Sequence, residues 1–108
     1  MQSGKLDRSV IIERAAAARD DFNNEVVTWH PLIKRRASWR PATAREQLAS
    51  QENGASVEDV FEIRWSTMAS TINPKDRLRF NDRIYDIAEA TEMGRRKSIR
   101  IKATARSD

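Results

Sequence analysis

The feature that most constrains this chain is alternation at period two. In "RLRFNDRIYDI" (77–87) arginines alternate with large apolar residues on either side of an Asn-Asp break. "SVEDVFEIRWS" (56–66) and "KSIRIKATA" (97–105) behave alike. Successive side chains of a strand point to opposite faces, so this pattern makes strands with one dry and one wet side. An isolated hairpin of that kind is barely stable in water, so several such strands must share one core.

The 77–87 segment specifies its own pairing. With Asn81-Asp82 as a two-residue type I′ turn, Phe80 faces Arg83, Arg79 faces Ile84, Leu78 faces Tyr85 and Arg77 faces Asp86. Leu78, Phe80, Tyr85 and Ile87 then form the inner face. Arg77, Arg79, Ile84 and Asp86 form the outer one, with Arg77 and Asp86 as a cross-strand ion pair. A slip of one residue would mix the two sets, so burial selects this register. Arg100 and Lys102 extend the basic face if the last strand joins the sheet. That face is either merely solvated or a functional basic surface.

The remaining elements follow from local signals. "SVIIERA" (9–15) reads as a strand with Val10 and Ile12 on one side and Ile11 on the other. "RDDFNNEVV" supplies turn chemistry, because Asn23-Asn24 tolerates positive φ. "EVVTWHPLIKRRASWRP" (25–41) is extended, and Pro31 within it marks an edge, a bulge or a break. "ATAREQLASQEN" (42–53) is rich in helix formers, with Thr43 and Glu46 at capping-box spacing and Gly54 as a stop. It reads as a short helix or an ordered loop. In 56–66, Asp59, Phe61, Ile63 and Trp65 share one face. "TMASTINPKD" (67–76) is a loop with an Asn-Pro turn signal. "GRR" (94–96) turns into a final strand with Ile99, Ile101 and Ala103 inward. The expected architecture is mainly β: a small antiparallel barrel or sandwich of about six strands, with one short helix or ordered loop between strands two and three.

At 108 residues the chain is long enough for a single domain spanning 1–108, with short flexible ends expected at about 1–6 and 105–108. No apolar run approaches the ~18 residues of a membrane span. The N-terminus lacks the apolar core of a signal peptide, so the expected site of synthesis and residence is one compartment. The absence of cysteine removes disulfides and thiolate chemistry. Net charge is +4, which permits contact with nucleic acid without demanding it.

Candidate chemistry is sparse. His30 is the only histidine, and metal sites need several converging ligands. The carboxylate pairs Asp20-Asp21 and Glu58-Asp59 are sequence neighbours, which suits turns or opposite strand faces better than acid–base catalysis. No phosphate-cradling glycine loop or nucleophile elbow occurs. Neither an enzyme nor a cofactor is expected. Two basic clusters remain: "KRR" (34–36) with Arg40, and "GRRKSIRIK" (94–102). Each is a solvated face, a subunit interface or a surface for DNA phosphates.

Taken in order, these features resemble the phage head-tail joining family, also called head closure or stopper proteins, which occurs in gene transfer agent particles too. The similarity runs from about Gly4 to Thr104. It is carried by "GKLDRSVIIER", by "DDFNNEVVTW" ending at Trp29, and by Ala37 and Pro41 downstream. "REQLASQ", "FEIRW" and "RLRFNDRIYDI" complete the order. The sequence departs from the family where Arg35 and Arg36 replace apolar residues and where Asp82 replaces the hairpin glycine.

The resemblance implies a β-barrel-like subunit of a ring, six copies by family analogy, in the neck of a virion or phage-like particle made in the host bacterial cytoplasm. Its partners would be its own copies, a portal-adaptor ring above, a tail terminator or tail tube protein below, and packaged double-stranded DNA held non-specifically. No membrane is involved. The 42–55 segment would reach toward the channel, with Arg45, Glu46, Gln47 and Gln51 as candidate gating residues. Lys34, Arg35, Arg36, Arg77, Arg79, Arg100 and Lys102 are candidate subunit-interface or DNA-facing cations. The alternatives are a small β-barrel nucleic-acid-binding module and a tail-terminator-like ring protein of the same particle.

Overall fold

The computed structural model describes residues 8–52, 54 and 56–106. Six strands close into an antiparallel barrel: β1 (Arg8–Arg19), β2 (Glu25–Pro41), β3 (Asp59–Arg64), β4 (Arg77–Phe80), β5 (Arg83–Met93) and β6 (Ser98–Ala105). Their order around the barrel is β1-β2-β3-β6-β5-β4, with β4 returning to β1. Closure leaves the barrel without free strand edges, which are otherwise templates for unwanted pairing. A helix, α1 (Ala44–Glu52), joins β2 to β3, and a single 3-10 turn (Ala69–Thr71) precedes β4.

The hairpin register is the one that burial selects. Phe80 pairs with Arg83, Arg79 with Ile84, Leu78 with Tyr85 and Arg77 with Asp86. Asn81 and Asp82 take φ of 52° and 60°, as a type I′ turn requires. Leu78, Phe80, Tyr85 and Ile87 are all buried. Inside the barrel Phe61 is fully buried, and its ring meets Phe80 and Tyr85 edge-on, each with centroids 5.3 Å apart. Val10, Ile12, Ile63, Ile99, Ile101 and Ala103 complete the core from the neighbouring strands.

Three features differ from expectation. The Arg77–Asp86 ion pair does not form, although the two residues are opposite each other. Closure of β4 onto β1 sets Glu13 beside Arg77. Arg77 Nε donates to Glu13 Oε1 at 2.7 Å, and Asp86 instead receives Arg106 Nε at 2.7 Å. Glu13 is buried, so it requires a cation more than the exposed Asp86 does. Secondly, Asp59 and Trp65 are only partly buried on the face they share with Phe61, because Asp59 opens β3 and Trp65 lies one residue past its end. Val60, on the opposite face, is buried at 3% exposure.

Thirdly, the first hairpin is much longer than its apolar pattern. β1 continues through the alanines to Arg19, and Ala15 to Arg19 pair with Trp29 to Glu25. No other strand pairs with that stretch among the described residues. Every residue from Ala15 to Thr28 is exposed, so this arm stands clear of the core. The molecule is accordingly elongated, 51 × 29 × 25 Å, with a radius of gyration of 14.7 Å against about 13 Å for a compact domain of this length.

Pro31 sits at a bulge: the register shifts between Ile12 and Glu13, so that Ile12 faces Ile33 while Glu13 faces Pro31. The loop before β4 is tied to the barrel by Asp76. Its buried carboxylate accepts Arg14 Nε at 3.0 Å, Arg14 Nη2 at 3.1 Å and the Asn73 N–H at 3.1 Å. This bond raises the Arg14 pKa. At the C-terminus, where a loose end was expected from 105, Ala105 closes β6 and the Arg106 N–H donates to the Ile84 carbonyl. The whole of the expected N-terminal end (1–6), together with Asp7, and residues 107–108 lie outside the described residues, as does the start of "GKLDRSVIIER".

Candidate interaction surfaces

Antiparallel pairing gives the barrel two unlike ends. The arm, the loop before β4 and the Gly94–Lys97 turn share one end. At the other lie Arg8, the β2 terminus, α1 and the Asn81-Asp82 turn. A cavity of about 460 Å³ opens there, lined by residues that include Trp39, Phe80, Tyr85, Arg8 and Arg83. Burial raises the Tyr85 hydroxyl pKa, and the nearby Asp59 charge adds to the effect.

Within the 42–55 segment, Ala44–Glu52 is a helix built on its predicted capping box. The Glu46 N–H donates to Thr43 Oγ1 at 3.1 Å, and the Thr43 N–H donates back to Glu46 Oε1 at 2.9 Å. Glu46 is also held from β2: Arg40 Nη1 and Nη2 donate to Oε1 and Oε2 at 2.7 and 2.8 Å. This bidentate bond is the main cause that holds the Glu46 carboxyl at about 2. Gly54 ends the segment at φ 74°. Of the four candidate gating residues, Arg45, Gln47 and Gln51 are exposed, whereas Glu46 is used as the anchor. Leu48 is 64% exposed, and Ser50 is the only buried residue of the helix. The helix is therefore fastened by polar bonds at its first turn and by almost no apolar contact.

The seven candidate cations separate into two groups. Arg77 is bonded to Glu13, Arg100 Nε lies 3.5 Å from Glu62 Oε1, and Lys102 Nζ lies 3.6 Å from Glu89 Oε2. Trp29 stacks on the Arg77 guanidinium with 4.2 Å to the ring centroid. These three cations serve the barrel wall. Lys34, Arg35, Arg36 and Arg79 are exposed and form no ion pair among the described residues. Register brings Lys34, Arg36 and Arg79 onto one face, whereas Arg35 pairs with Val10 and is exposed between Lys34 and Arg36. Ile11 pairs with both Lys34 and Arg79, and Ser9 pairs with Arg36. Val10 and Ile12 point inward, so Ser9, Ile11 and their partners face out. Lys34, Arg35, Arg36 and Ser9 line a second cavity of about 430 Å³.

His30 is exposed, and its Nε2 lies 3.0 Å from Thr28 Oγ1. No cluster of three or more His, Cys, Asp or Glu side chains able to hold a metal occurs among the described residues. Among the described residues no helix is long and apolar enough to cross a membrane. The sequence reading did not find the arm. The exposed run Ala15 to Ala18 carries no alternation, and only its pairing with 26–29 reveals a ribbon.

Comparison with curated proteins finds no match. Among solved structures, the chain is similar to the solution structure of protein SF1141 from Shigella flexneri 2a. The identity is 20%, the TM-score 0.77, and the match covers 97% of this chain and 96% of that one. It is also similar to a chain in the virion of a native gene transfer agent particle, at 17% identity and TM-score 0.59, over 93% of this chain and 94% of that one. These likenesses establish the shared fold. The family model for phage head completion protein matches residues 1–106, so the chain belongs to that family and is a structural protein of the virion.

Proposed function

We propose that the protein closes the DNA-filled head as a ring in the particle's neck, beneath the portal and adaptor, and presents the docking surface for the tail. The observation that carries this reading is a head completion match over residues 1–106, on a barrel whose fold is shared with a gene transfer agent virion chain. Closure of the barrel supports it. With β3, β4, β5 and β6 each flanked by a partner strand on both sides, such a subunit associates through side chains on its wall and through projections such as the arm. The lopsided arm and the two unlike ends suit head-to-tail contacts, which close into rings when the rotation allows. Six copies, and non-specific passage of double-stranded DNA through the channel, complete the proposal by analogy with the resemblance.

Within it, α1 gates the channel. A helix held by Glu46 and Thr43 rather than by a core can swing when a partner docks. Particles lacking the protein are expected, by electron microscopy, to be tailless heads that leak DNA. Tailed, DNA-full particles without it would refute head closure. Deleting 44–52 should leave the barrel folded and impair DNA retention, and unimpaired retention would remove the gating role.

A further inference from the structure

The arm carries a built tip. Asp20 Oδ1 accepts the N–H groups of Phe22 and Asn24 at 2.9 and 2.8 Å, Arg19 Nη1 donates to the Asn23 carbonyl at 3.0 Å, and Asn23 sits at φ 64°. These bonds hold Phe22 outward, 85% exposed, flanked by Asp21 and Glu25. A large apolar side chain fixed at the end of a hydrogen-bonded turn is a preorganised anchor for a partner. The stretch Arg19–Glu25 has three acidic residues and one basic, a net charge of −2.

The barrel wall carries the complement. Lys34, Arg35, Arg36 and Arg79 bring four positive charges with no ion-paired carboxylate among the described residues; Lys34, Arg35 and Arg36 line a cavity of about 430 Å³, and Arg79 lies across Ile11 from Lys34. Guanidinium groups there would lie against an aromatic ring, as Arg77 does on Trp29 and Arg96 on Trp65 within this same chain. The tip cannot reach its own wall. Phe22 and Arg35 belong to one continuous ribbon, roughly 40 Å apart at ~3.3 Å per residue. It can reach a neighbour. The arm extends about 20 Å beyond the barrel by the same rise, against a molecular width of 25–29 Å.

We infer that the arm tip of one copy, with Phe22 as its knob and Asp21 and Glu25 as its charges, docks onto the Lys34–Arg35–Arg36–Arg79 wall of the next copy. The contact is heterologous, so each subunit gives one arm and receives one. It deepens the ring reading above by naming the surfaces that join the subunits.

The cysteine-free chain allows a clean test. A size-tagged Asn24→Cys protein is mixed with untagged Arg36→Cys protein and oxidised at high concentration. Mixed-size dimers should dominate over either same-size dimer. Asp21→Lys with Glu25→Lys, introduced into the tagged partner at the retained positions, should lower the mixed dimer about tenfold, as loss of two exposed charge contacts implies. Lys34→Glu with Arg79→Glu in the other partner should restore it. Asp20 is left intact because it builds the turn. Absence of mixed dimers, dominance of same-size dimers, or failure of the charge swap to restore them overturns the inference. So does suppression of the cross-link by a short DNA duplex of random sequence, which would assign the wall to phosphate. Failed cross-linking together with tailless, leaking particles would remove the arm contact while leaving head closure standing. Cross-linking together with normal particles in the protein's absence would do the reverse.

Discussion

Glu46→Gln is the most informative single change, because this carboxylate does two tasks at the first turn of α1. It closes the capping box on the Thr43 N–H and receives both terminal nitrogens of Arg40. Lowering its pKa from 4.5 to about 2 corresponds to roughly 3 kcal/mol at about 1.4 kcal/mol per pH unit. Water screens the pair, since the Arg40 side chain is 42% exposed, so about 1–2 kcal/mol is the reasonable contribution. With Leu48 exposed and only Ser50 buried, that amount is most of what fastens the helix. Amide hydrogen exchange should therefore quicken about 5- to 30-fold across Gln47–Glu52, while the strand amides and the barrel's thermal midpoint change little. The pH dependence has a definite sign. Folding lowers the Glu46 pKa, so its contribution is complete above 4.5 and is lost as pH falls toward about 2. The wild-type helix should loosen over that interval. Unchanged helix exchange in the variant, or a global destabilisation of the same size as the local one, would refute the picture of a polar-fastened helix on an independent barrel.

Four further outcomes are expected. Phe61→Ala removes the ring at the centre of the aromatic cluster and should cost about 3–5 kcal/mol, measured by chemical denaturation. Asp82→Gly replaces a residue at φ 60° in the type I′ turn and should stabilise by about 0.5–1 kcal/mol; a loss would show that the Asp82 side chain matters more than its backbone. Glu13→Ala leaves Arg77 unpaired beneath Trp29 and should cost about 3 kcal/mol, whereas Glu13→Leu with Arg77→Leu should recover much of it in a double-mutant cycle. Replacing residues 16–28 by a two-residue Asn-Gly turn should leave the barrel's thermal midpoint within a few degrees, because the core takes nothing from that stretch.

Local chemistry and period-two burial determined much of this molecule from sequence alone. The Asn81-Asp82 turn, its register and its inner face were legible because burial of Leu78, Phe80, Tyr85 and Ile87 permits a single pairing. The α1 cap was legible because Thr43 and Glu46 lie within one helical turn. Tertiary structure decided what depends on residues far apart in the chain. Arg77 chose Glu13 over Asp86 only because β4 closes on β1, and Arg40 found Glu46 only once β2 had delivered it to the helix start. Of the seven candidate cations, closure used Arg77, Arg100 and Lys102 within the wall and left Lys34, Arg35, Arg36 and Arg79 exposed. The arm was invisible beforehand for the same reason: exposed alanines carry no pattern, and their role comes from where the barrel ends and the ribbon continues.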